Sequence, residues 1–164
     1  LSKIRKHIPA GKQKILNFGC GLNTLSDILV KEGHVVTPLD IQDESIGKVP
    51  VVVYDGSNIP EHLGNFDFTL IITVLHHIPE HLHSFLLDMI AKRSKRILIL
   101  EDICTADTFF KVSNNCMLKN IQFFNHPLIF SSHAMLHEQF FKYTIEYSES
   151  DGAFSVFVLN PGKA

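Results

Sequence analysis

Short apolar runs alternate with amphipathic segments along most of the chain, a pattern typical of strands that alternate with helices. Five such runs are predicted as strands, and they cover residues 14–18, 35–39, 51–54, 68–74 and 96–100. The fourth run is apolar along nearly all of its length, as expected of a central strand that is covered on both faces. Strands separated by helices in this way predict a parallel, doubly wound α/β sheet.

Two helices are predicted between these strands. Thr24 and Asp27 have the spacing of a capping box at the start of the first, and Gly33 marks its end. Pro79 opens the second, because proline is favoured in the first turn of a helix. The apolar residues of the second helix recur at the spacing of one helix face, and they are Leu82, Phe85, Leu86, Met89 and Ile90.

The last part of the chain changes character. Residues 132–141 predict one more helix, and residues 143–149 and 153–159 predict two strands joined by a turn at Asp151 and Gly152. The predicted fold is therefore a seven-stranded, mostly parallel sheet with a C-terminal antiparallel hairpin, in a single domain over residues 1–164. Residues 103–131 are less regular and rich in phenylalanine, and they are predicted either as a lid or insertion over a site or as a helix packed on the sheet.

Composition narrows the class of protein. The chain has 164 residues, 45% of them hydrophobic, which suits one globular domain with its own core. The net charge of −2 does not mark a nucleic-acid binder, and the longest apolar stretch is too short to span a bilayer. Cys20, Cys104 and Cys116 have no paired spacing, which favours reduced thiols and a cytoplasmic location. The sequence begins at Leu1 rather than methionine, which indicates a processed or trimmed chain.

A glycine-spaced loop, reading NFGCGLN from residue 17, joins the first predicted strand to the first helix. Gly19 and Gly21 leave the backbone bare, so that a ligand can lie against it. A dinucleotide fingerprint would need glycine at position 24, where threonine stands, which disfavours a nicotinamide oxidoreductase. Asn23 takes the third place of a G-x-G-x-G pattern, and asparagine tolerates the left-handed backbone that this place requires. The alternative is a tight turn that binds nothing.

Polar residues also follow the other predicted strands, where ligands of doubly wound sheets bind. Asp40 could accept hydrogen bonds from both hydroxyls of a ribose, or it could cap the turn that follows it. Asp55 could accept from an exocyclic amine, although an Asp-Gly pair is also a common turn. Further polar residues follow the fourth and fifth strands, and they are Thr73, His76, His77, Glu101 and Asp102.

At this point the chain resembles the class I S-adenosylmethionine-dependent methyltransferases. The matching pieces are NFGCGLN, the acid in VTPLDIQ, VVVYDGSNIP and FDFTLIITVLHHIPE, in that order between about residues 14 and 102. The C-terminal hairpin matches the antiparallel sixth and seventh strands of the family. The resemblance implies an enzyme that moves a methyl group from S-adenosylmethionine to a small-molecule acceptor. The charge balance and the short apolar stretches, in turn, lead us to expect no nucleic-acid or membrane partner. The acceptor and the oligomeric state are not readable from the sequence.

The resemblance also implies which positions contact the cofactor. Gly19, Cys20 and Gly21 would lie against its methionine part, Asp40 would hold its ribose, and Ile41 would lie against its adenine. In the same way, Asp55 and Gly56 would contact the edge of the adenine ring. The backbone of Thr73 and Val74 would face the amino acid end of the cofactor.

Asn17 is also expected to contact the cofactor, but the chain departs from the family pattern there and at one further loop position. The family usually has an acid where Asn17 stands and glycine where Asn23 stands. Loss of a carboxylate beside a cationic ligand removes about 1–3 kcal/mol of favourable interaction at a dry site. The alternative function is therefore a non-catalytic methyltransferase-like domain that binds or regulates.

A general base is needed only where the acceptor must lose a proton as it attacks. His76 and His77 are the first choices for that base, because histidine titrates near neutral pH. Alternatively, one of them shapes the pocket and the other packs under the following helix. His81 and His83 lie nearby, but their spacing matches no known zinc motif, so no metal site is predicted.

Overall fold

The computed structural model describes residues 1–103 and 131–162. Its centre is one seven-stranded sheet in the order β3-β2-β1-β4-β5-β7-β6. The strands are β1 Lys14–Phe18, β2 Val35–Asp40, β3 Val52–Val53, β4 Phe66–Ile72, β5 Ser94–Asp102, β6 Thr144–Ser150 and β7 Phe154–Asn160. Strands β1 to β5 pair in parallel, and β7 pairs antiparallel with both β5 and β6. The predicted fold class is thereby confirmed.

The register of the central strands places their carboxyl ends level with one another. Phe18 at the end of β1 pairs with Leu39 of β2 on one side and with Ile71 of β4 on the other. The predicted first strand has the observed bounds, whereas β4 starts and ends two residues earlier than predicted. Thr73 and Val74 therefore belong to the turn after β4, which brings them to the level of the glycine loop.

Four helices flank the sheet in the described residues, and they are α1 Ser2–Arg5, α2 Thr24–Lys31, α3 Glu80–Ala91 and α4 His133–Gln139. The predicted capping box at the start of α2 is wrong, because Asn23 is the N-cap and no side chain caps it. Asp27 instead accepts hydrogen bonds from the backbone N–H groups of Lys48 and Val49, at 2.9–3.0 Å. Gly33, at φ 97°, follows the helix end as predicted.

The predicted apolar face of α3 is wrong in part. The buried side chains of this helix are His83, Leu86, Leu87 and Ile90. These positions also follow helical spacing, but they form a stripe one residue along from the predicted one. Leu82 and Phe85 are exposed, at 42% and 59%, so they contribute little to the core. His83 occupies a core position of this helix, where polar partners surround its ring.

The core lies on both faces of the sheet, since neighbouring side chains of a strand point to opposite faces. Ile97 and Ile99 of β5 pack into the layer that holds α3 and α4. Leu98 and Leu100 pack into the other layer, with α1 and α2. Because both faces of the sheet are covered, a ligand can reach the strands mainly at their ends. We therefore expect the functional site at the strand ends.

The predicted lid or insertion at residues 103–131 falls almost wholly outside the described residues, as do Cys104 and Cys116. Within residues 1–103 and 131–162, every helix is too short or too polar to traverse a bilayer.

Candidate functional site

A cavity of about 650 Å³ opens at the carboxyl ends of β1, β2 and β4. Its volume is within the range of small-molecule sites. Most of the predicted cofactor positions line it, namely Asn17, Gly19, Cys20, Gly21, Asp40, Ile41, Thr73 and Val74. His77, Tyr54 and Phe18 line it as well. The structure therefore brings together residues from four separate segments of the sequence.

The glycine loop is held by its own hydrogen bonds. Gly19 and Cys20 donate their N–H groups to Leu39 O, at 2.8 and 3.2 Å. Gly21 donates to Asp40 Oδ2 at 2.8 Å. These three N–H groups are therefore already bonded within the protein. The glycines allow the loop conformation and the close approach of a ligand, and their N–H groups are not presented to it.

The two glycines of the loop have different steric roles. Both have positive φ, 66° at Gly19 and 48° at Gly21, where side chains are rarely accommodated. A Cβ at Gly19 would lie 2.7 Å from a methyl carbon of Val74, so this glycine lets the turn after β4 pack against the loop. A Cβ at Gly21 would meet nothing within 4 Å. Gly21 therefore borders open space in the cavity wall.

Asp40 stands at the rim of the cavity, at the end of β2. Its Oδ2 accepts from Gly21 N, and its Oδ1 accepts from Ile41 N at 2.7 Å. A carboxylate has about four lone-pair sites, so both oxygens keep capacity for further donors. Ile41 beside it is 62% exposed and offers an apolar surface at the same rim.

The segment 41–50 forms one wall beside the loop and is fixed to the start of α2. Ile46 N donates to Leu22 O at 3.1 Å, and Asn23 Nδ2 donates to Val49 O at 2.6 Å. Asn23 has φ 60°, so its backbone is left-handed, as the sequence predicted. A Cβ at Gly47 would lie 2.6 Å from Asn23 O, so only glycine fits this contact.

Asn17 lies at the bottom of the cavity and is 3% exposed. Its Nδ2 donates to Ser26 Oγ at 3.0 Å, which joins the end of β1 to α2. The side chain is neutral, so Asn17 gives the cavity floor no charge of its own.

The turn after β4 has an unusual backbone. Thr73 has φ 56°, which is rare for a β-branched residue and indicates strain. Its N–H donates to Leu100 O at 2.7 Å, and its Oγ1 donates to Ile72 O at 2.7 Å. Such strain persists only where the surroundings fix the conformation.

A buried carboxylate supplies that fixation. Glu101, at the end of β5, is 2% exposed. Its Oε1 accepts from Val74 N and Leu75 N, at 2.7 and 2.6 Å, and its Oε2 lies 2.8 Å from His76 Nδ1. Sequence reasoning named Glu101 only as a polar residue at a strand end. No local pattern could reveal its three partners, which lie 25 to 27 residues away.

The two predicted catalytic histidines occupy different positions. His76 is 8% exposed and bonded to Glu101, and it lies outside the described lining of the cavity. His77 lines the cavity, with its ring centroid 4.1 Å from that of His76. Burial, with a smaller contribution from the neighbouring His76, lowers the pKa of His77 below its ordinary value. A lowered pKa keeps this imidazole neutral at pH 7, as a proton acceptor must be.

Asp55 and Gly56 are outside the described lining of the cavity. Asp55 Oδ1 accepts from Ser57 N and Asn58 N, at 2.9 and 3.2 Å, which is the turn geometry that the sequence left open. These bonds, with the Ser57 hydroxyl, lower the pKa of the Asp55 carboxyl. A Cβ at Gly56 would lie 3.5 Å from Ile41, so the pair adjoins the rim without lining it.

Two other cavity groups have perturbed acidity. Burial, followed by the charge of Asp40, raises the pKa of the Cys20 thiol to about 12. The same two effects, in the same order and with a smaller effect of Asp55, raise the pKa of Tyr54 to about 12. Tyr54, which packs edge-on against Phe18 at 5.8 Å, was missed by sequence reasoning. Both groups are neutral near pH 7.

His83 is a buried residue of α3 whose ring contacts the turn after β4. Its Nε2 lies 2.9 Å from both Leu75 O and Ile78 O, and its Nδ1 lies 3.0 Å from the Gln139 side-chain oxygen. It therefore binds backbone of the turn after β4. Among the residues that the structure describes, no group of three or more potential ligands is placed to hold a metal ion.

Comparison with known proteins places this geometry in a family context. Residues 16–94 match the family model described as a methyltransferase domain. The chain has the class I methyltransferase fold. The match covers the glycine loop, Asp40 and the turn after β4, which together carry the resemblance found in the sequence, and it confirms that resemblance. No curated protein matches the sequence significantly.

Solved structures share the methyltransferase fold at low sequence identity. Magnesium protoporphyrin IX methyltransferase from Synechocystis PCC 6803, crystallised with bound SAH, is 16% identical with a TM-score of 0.66, over 89% of this chain and 73% of that one. A SAM-dependent methyltransferase from Methanosarcina mazei is 16% identical with a TM-score of 0.68, over 96% and 95% of the two chains. DhpI in complex with SAH is 15% identical with a TM-score of 0.73, over 99% and 84%.

Proposed function

We propose that this chain is an S-adenosylmethionine-dependent methyltransferase that acts on a small-molecule acceptor. The observation that carries the proposal is the cavity itself, at the strand ends of a methyltransferase fold, with the Asp40 carboxylate on its rim. Neighbours of the same fold crystallised with SAM or SAH support this choice of cofactor. The three scattered cysteines favour a reducing compartment such as the cytoplasm.

The residues present fit an adenosyl cofactor. Asp40 keeps acceptor capacity for ribose hydroxyls, and Ile41 offers an apolar surface for the adenine. Open space at Gly21, which any side chain would partly fill, suits the methionine part beside Gly19 and Cys20. These assignments give each of the three chemical parts of the ligand to residues that line the same cavity.

The amino acid end of the cofactor is assigned to the backbone of Thr73 and Val74, which line the far side of the cavity. Asn17 at the bottom is assigned to the same end, as a neutral polar group. Asp55 and Gly56 remain proposed for the adenine edge, and their position beside Ile41 means that they would contact only a ligand that extends past the rim.

When bound, the cofactor would supply an electrophilic methyl group. The protein would hold the acceptor in line and take a proton from it where the acceptor is a hydroxyl or a protonated amine. We assign the role of proton acceptor to His77, which lines the cavity and whose pKa is lowered. His76 would not contact the acceptor; its ring would pack against His77 and fix the position of that imidazole.

Asn17 supports a second candidate function, a methyltransferase-like domain without catalysis. A neutral amide beside a cationic cofactor lacks the attraction of a carboxylate. In this form the domain would serve binding or regulation, and it would show weak affinity for the cofactor or none.

Calorimetry with S-adenosylmethionine and S-adenosylhomocysteine separates the two functions. The enzyme requires binding of both, followed by release of S-adenosylhomocysteine when an acceptor mixture is added. Absence of binding at millimolar cofactor would refute the enzyme and favour the non-catalytic domain. Lack of any NADH fluorescence change would exclude the oxidoreductase alternative. A crystal structure with S-adenosylhomocysteine would then show, from the space beside the sulfur, the size of the acceptor.

A further inference from the structure

We propose that Glu101 is a positioning residue for the cavity, which fixes the backbone of the turn after β4 and the tautomer of His76. The part of this proposal that concerns cofactor affinity rests on the proposed function. The parts that concern the turn and the tautomer are independent of it.

The first argument is the number and quality of the contacts that Glu101 makes. Its carboxylate is 2% exposed, and it faces three donors within 2.8 Å: Val74 N, Leu75 N and His76 Nδ1. Hydrogen bonds to an ionised carboxylate are the strong kind, and water does not compete at this depth. One side chain from β5 therefore holds three consecutive residues of a different segment.

The second argument is that the segment of Val74, Leu75 and His76 adjoins the cavity and the glycine loop. Thr73, immediately before them, has the strained φ of 56°. Val74 presses its methyl groups against Gly19, so closely that no Cβ would fit there. Thr73 and Val74 both line the cavity. A loosened clamp would let the turn relax, move Val74 away from the glycine loop and change the shape of the cavity.

The third argument concerns protons. An ionised carboxylate only accepts hydrogen bonds, so His76 must donate from Nδ1 to Glu101. Glu101 thus selects the Nδ1–H tautomer of His76. The ring of His76 packs on His77, which lines the cavity. Glu101 therefore reaches the cavity by two routes, through the backbone of Val74 and through the histidine pair.

Glu101→Gln is the decisive variant, because it tests the two routes separately. Its amide oxygen can still accept from Val74 N and Leu75 N. The reverse orientation would set an NH₂ group against both donors, so the amide nitrogen must face His76. A donor at that place requires His76 to carry its proton on Nε2 instead. The matched control is Glu146→Gln, since Glu146 also has two partners, an ion pair with Arg96 and a hydrogen bond from Asn160, but on the far edge of the sheet.

The experiment is NMR on the ligand-free protein, at a pH where imidazoles are neutral, followed by calorimetry with S-adenosylhomocysteine. In the wild type and in Glu146→Gln, we expect His76 as the Nδ1–H tautomer and slow exchange of the Val74 and Leu75 amide protons. In Glu101→Gln, the tautomer should switch while the two amide protons stay protected. In Glu101→Ala, both amide protons should exchange faster, and the dissociation constant should rise about tenfold or more.

An unchanged His76 tautomer in Glu101→Gln would overturn the tautomer assignment. Unchanged affinity in Glu101→Ala, with its amide protection lost, would overturn the role in shaping the cavity. If Glu101→Ala does not fold, Glu101→Gln still decides the tautomer, and the loss of the strong carboxylate bond still shows as upfield shifts of both amide protons. Lack of S-adenosylhomocysteine binding by the wild type would refute the proposed function, while the NMR results would still decide the clamp.

Discussion

Replacement of Asp40 by alanine tests the cofactor assignment most directly. The change removes two intramolecular bonds, from Gly21 N and Ile41 N, and the proposed bonds to ribose. One hydrogen bond to a charged group contributes about 1.5–3 kcal/mol. Because the rim is partly exposed, we expect the lower part of this range, which corresponds to about a tenfold to thirtyfold rise in the dissociation constant. Isothermal titration with S-adenosylhomocysteine measures it.

The intramolecular loss is controlled by Asp151→Ala. Asp151 also accepts from two backbone N–H groups, those of Ala153 and Phe154, and it pairs with Lys3 as well, but in the distal hairpin. Its replacement should cost similar local order without weakening cofactor binding. Affinity lost equally in both variants would mean that general destabilisation, rather than a ribose contact, explains the Asp40 result.

A ligand-side change isolates the ribose contact. The 2′,3′-dideoxy analogue of S-adenosylhomocysteine lacks the hydroxyls that Asp40 would bind. The wild type should bind this analogue about tenfold or more weakly than the parent, whereas Asp40→Ala should bind the two nearly equally, because the same interaction is removed either way. Full additivity of the two losses would refute the assignment of Asp40 to the ribose.

Three further outcomes are expected. Gly19→Ala should destabilise the fold by about 2–4 kcal/mol in chemical denaturation, since it adds left-handed strain and a clash with Val74, and a cost below about 1 kcal/mol would contradict the close contact. Leu87→Ala should cost about 2–4 kcal/mol, while Phe85→Ala should change stability by less than about 1 kcal/mol; the reverse order would restore the predicted face of α3. In a variant whose other two cysteines are replaced by serine, Cys20 should react with iodoacetamide at pH 8 far more slowly than free cysteine, because a pKa of about 12 keeps the thiol protonated. A rate equal to that of free cysteine would refute the raised pKa.

The sequence predicts the fold well because periodicity and punctuation are local. The bounds of β1 follow from an apolar run, and the C-terminal hairpin follows from an Asp-Gly turn, with each of its strands one residue later than predicted. The capping box failed because Asp27 has better partners in Lys48 and Val49, 21 and 22 residues away. Competition of this kind depends on the tertiary fold, so a spacing rule does not detect it.

The face of α3 shows a second limit of pattern reasoning. Two overlapping stripes satisfy helical spacing, and the fully apolar one is the natural choice from hydropathy alone. The structure buries the other stripe, in which the ring of His83 has acceptors at Leu75 O and Ile78 O. For the same reason Glu101 could be located at a strand end but not recognised as the clamp. Buried polar residues become readable only when their partners are known.

The contact between Gly19 and Val74 has a consequence for protein engineering. Two segments meet there through the Cα of Gly19 and the apolar side chain of Val74. Val74→Ala should therefore remove the clash of a methyl group at position 19, while the left-handed strain at φ 66° would remain. The pair thus offers a place to reshape the floor of the binding chamber by exchanging carbon atoms between neighbours, leaving its polar groups untouched.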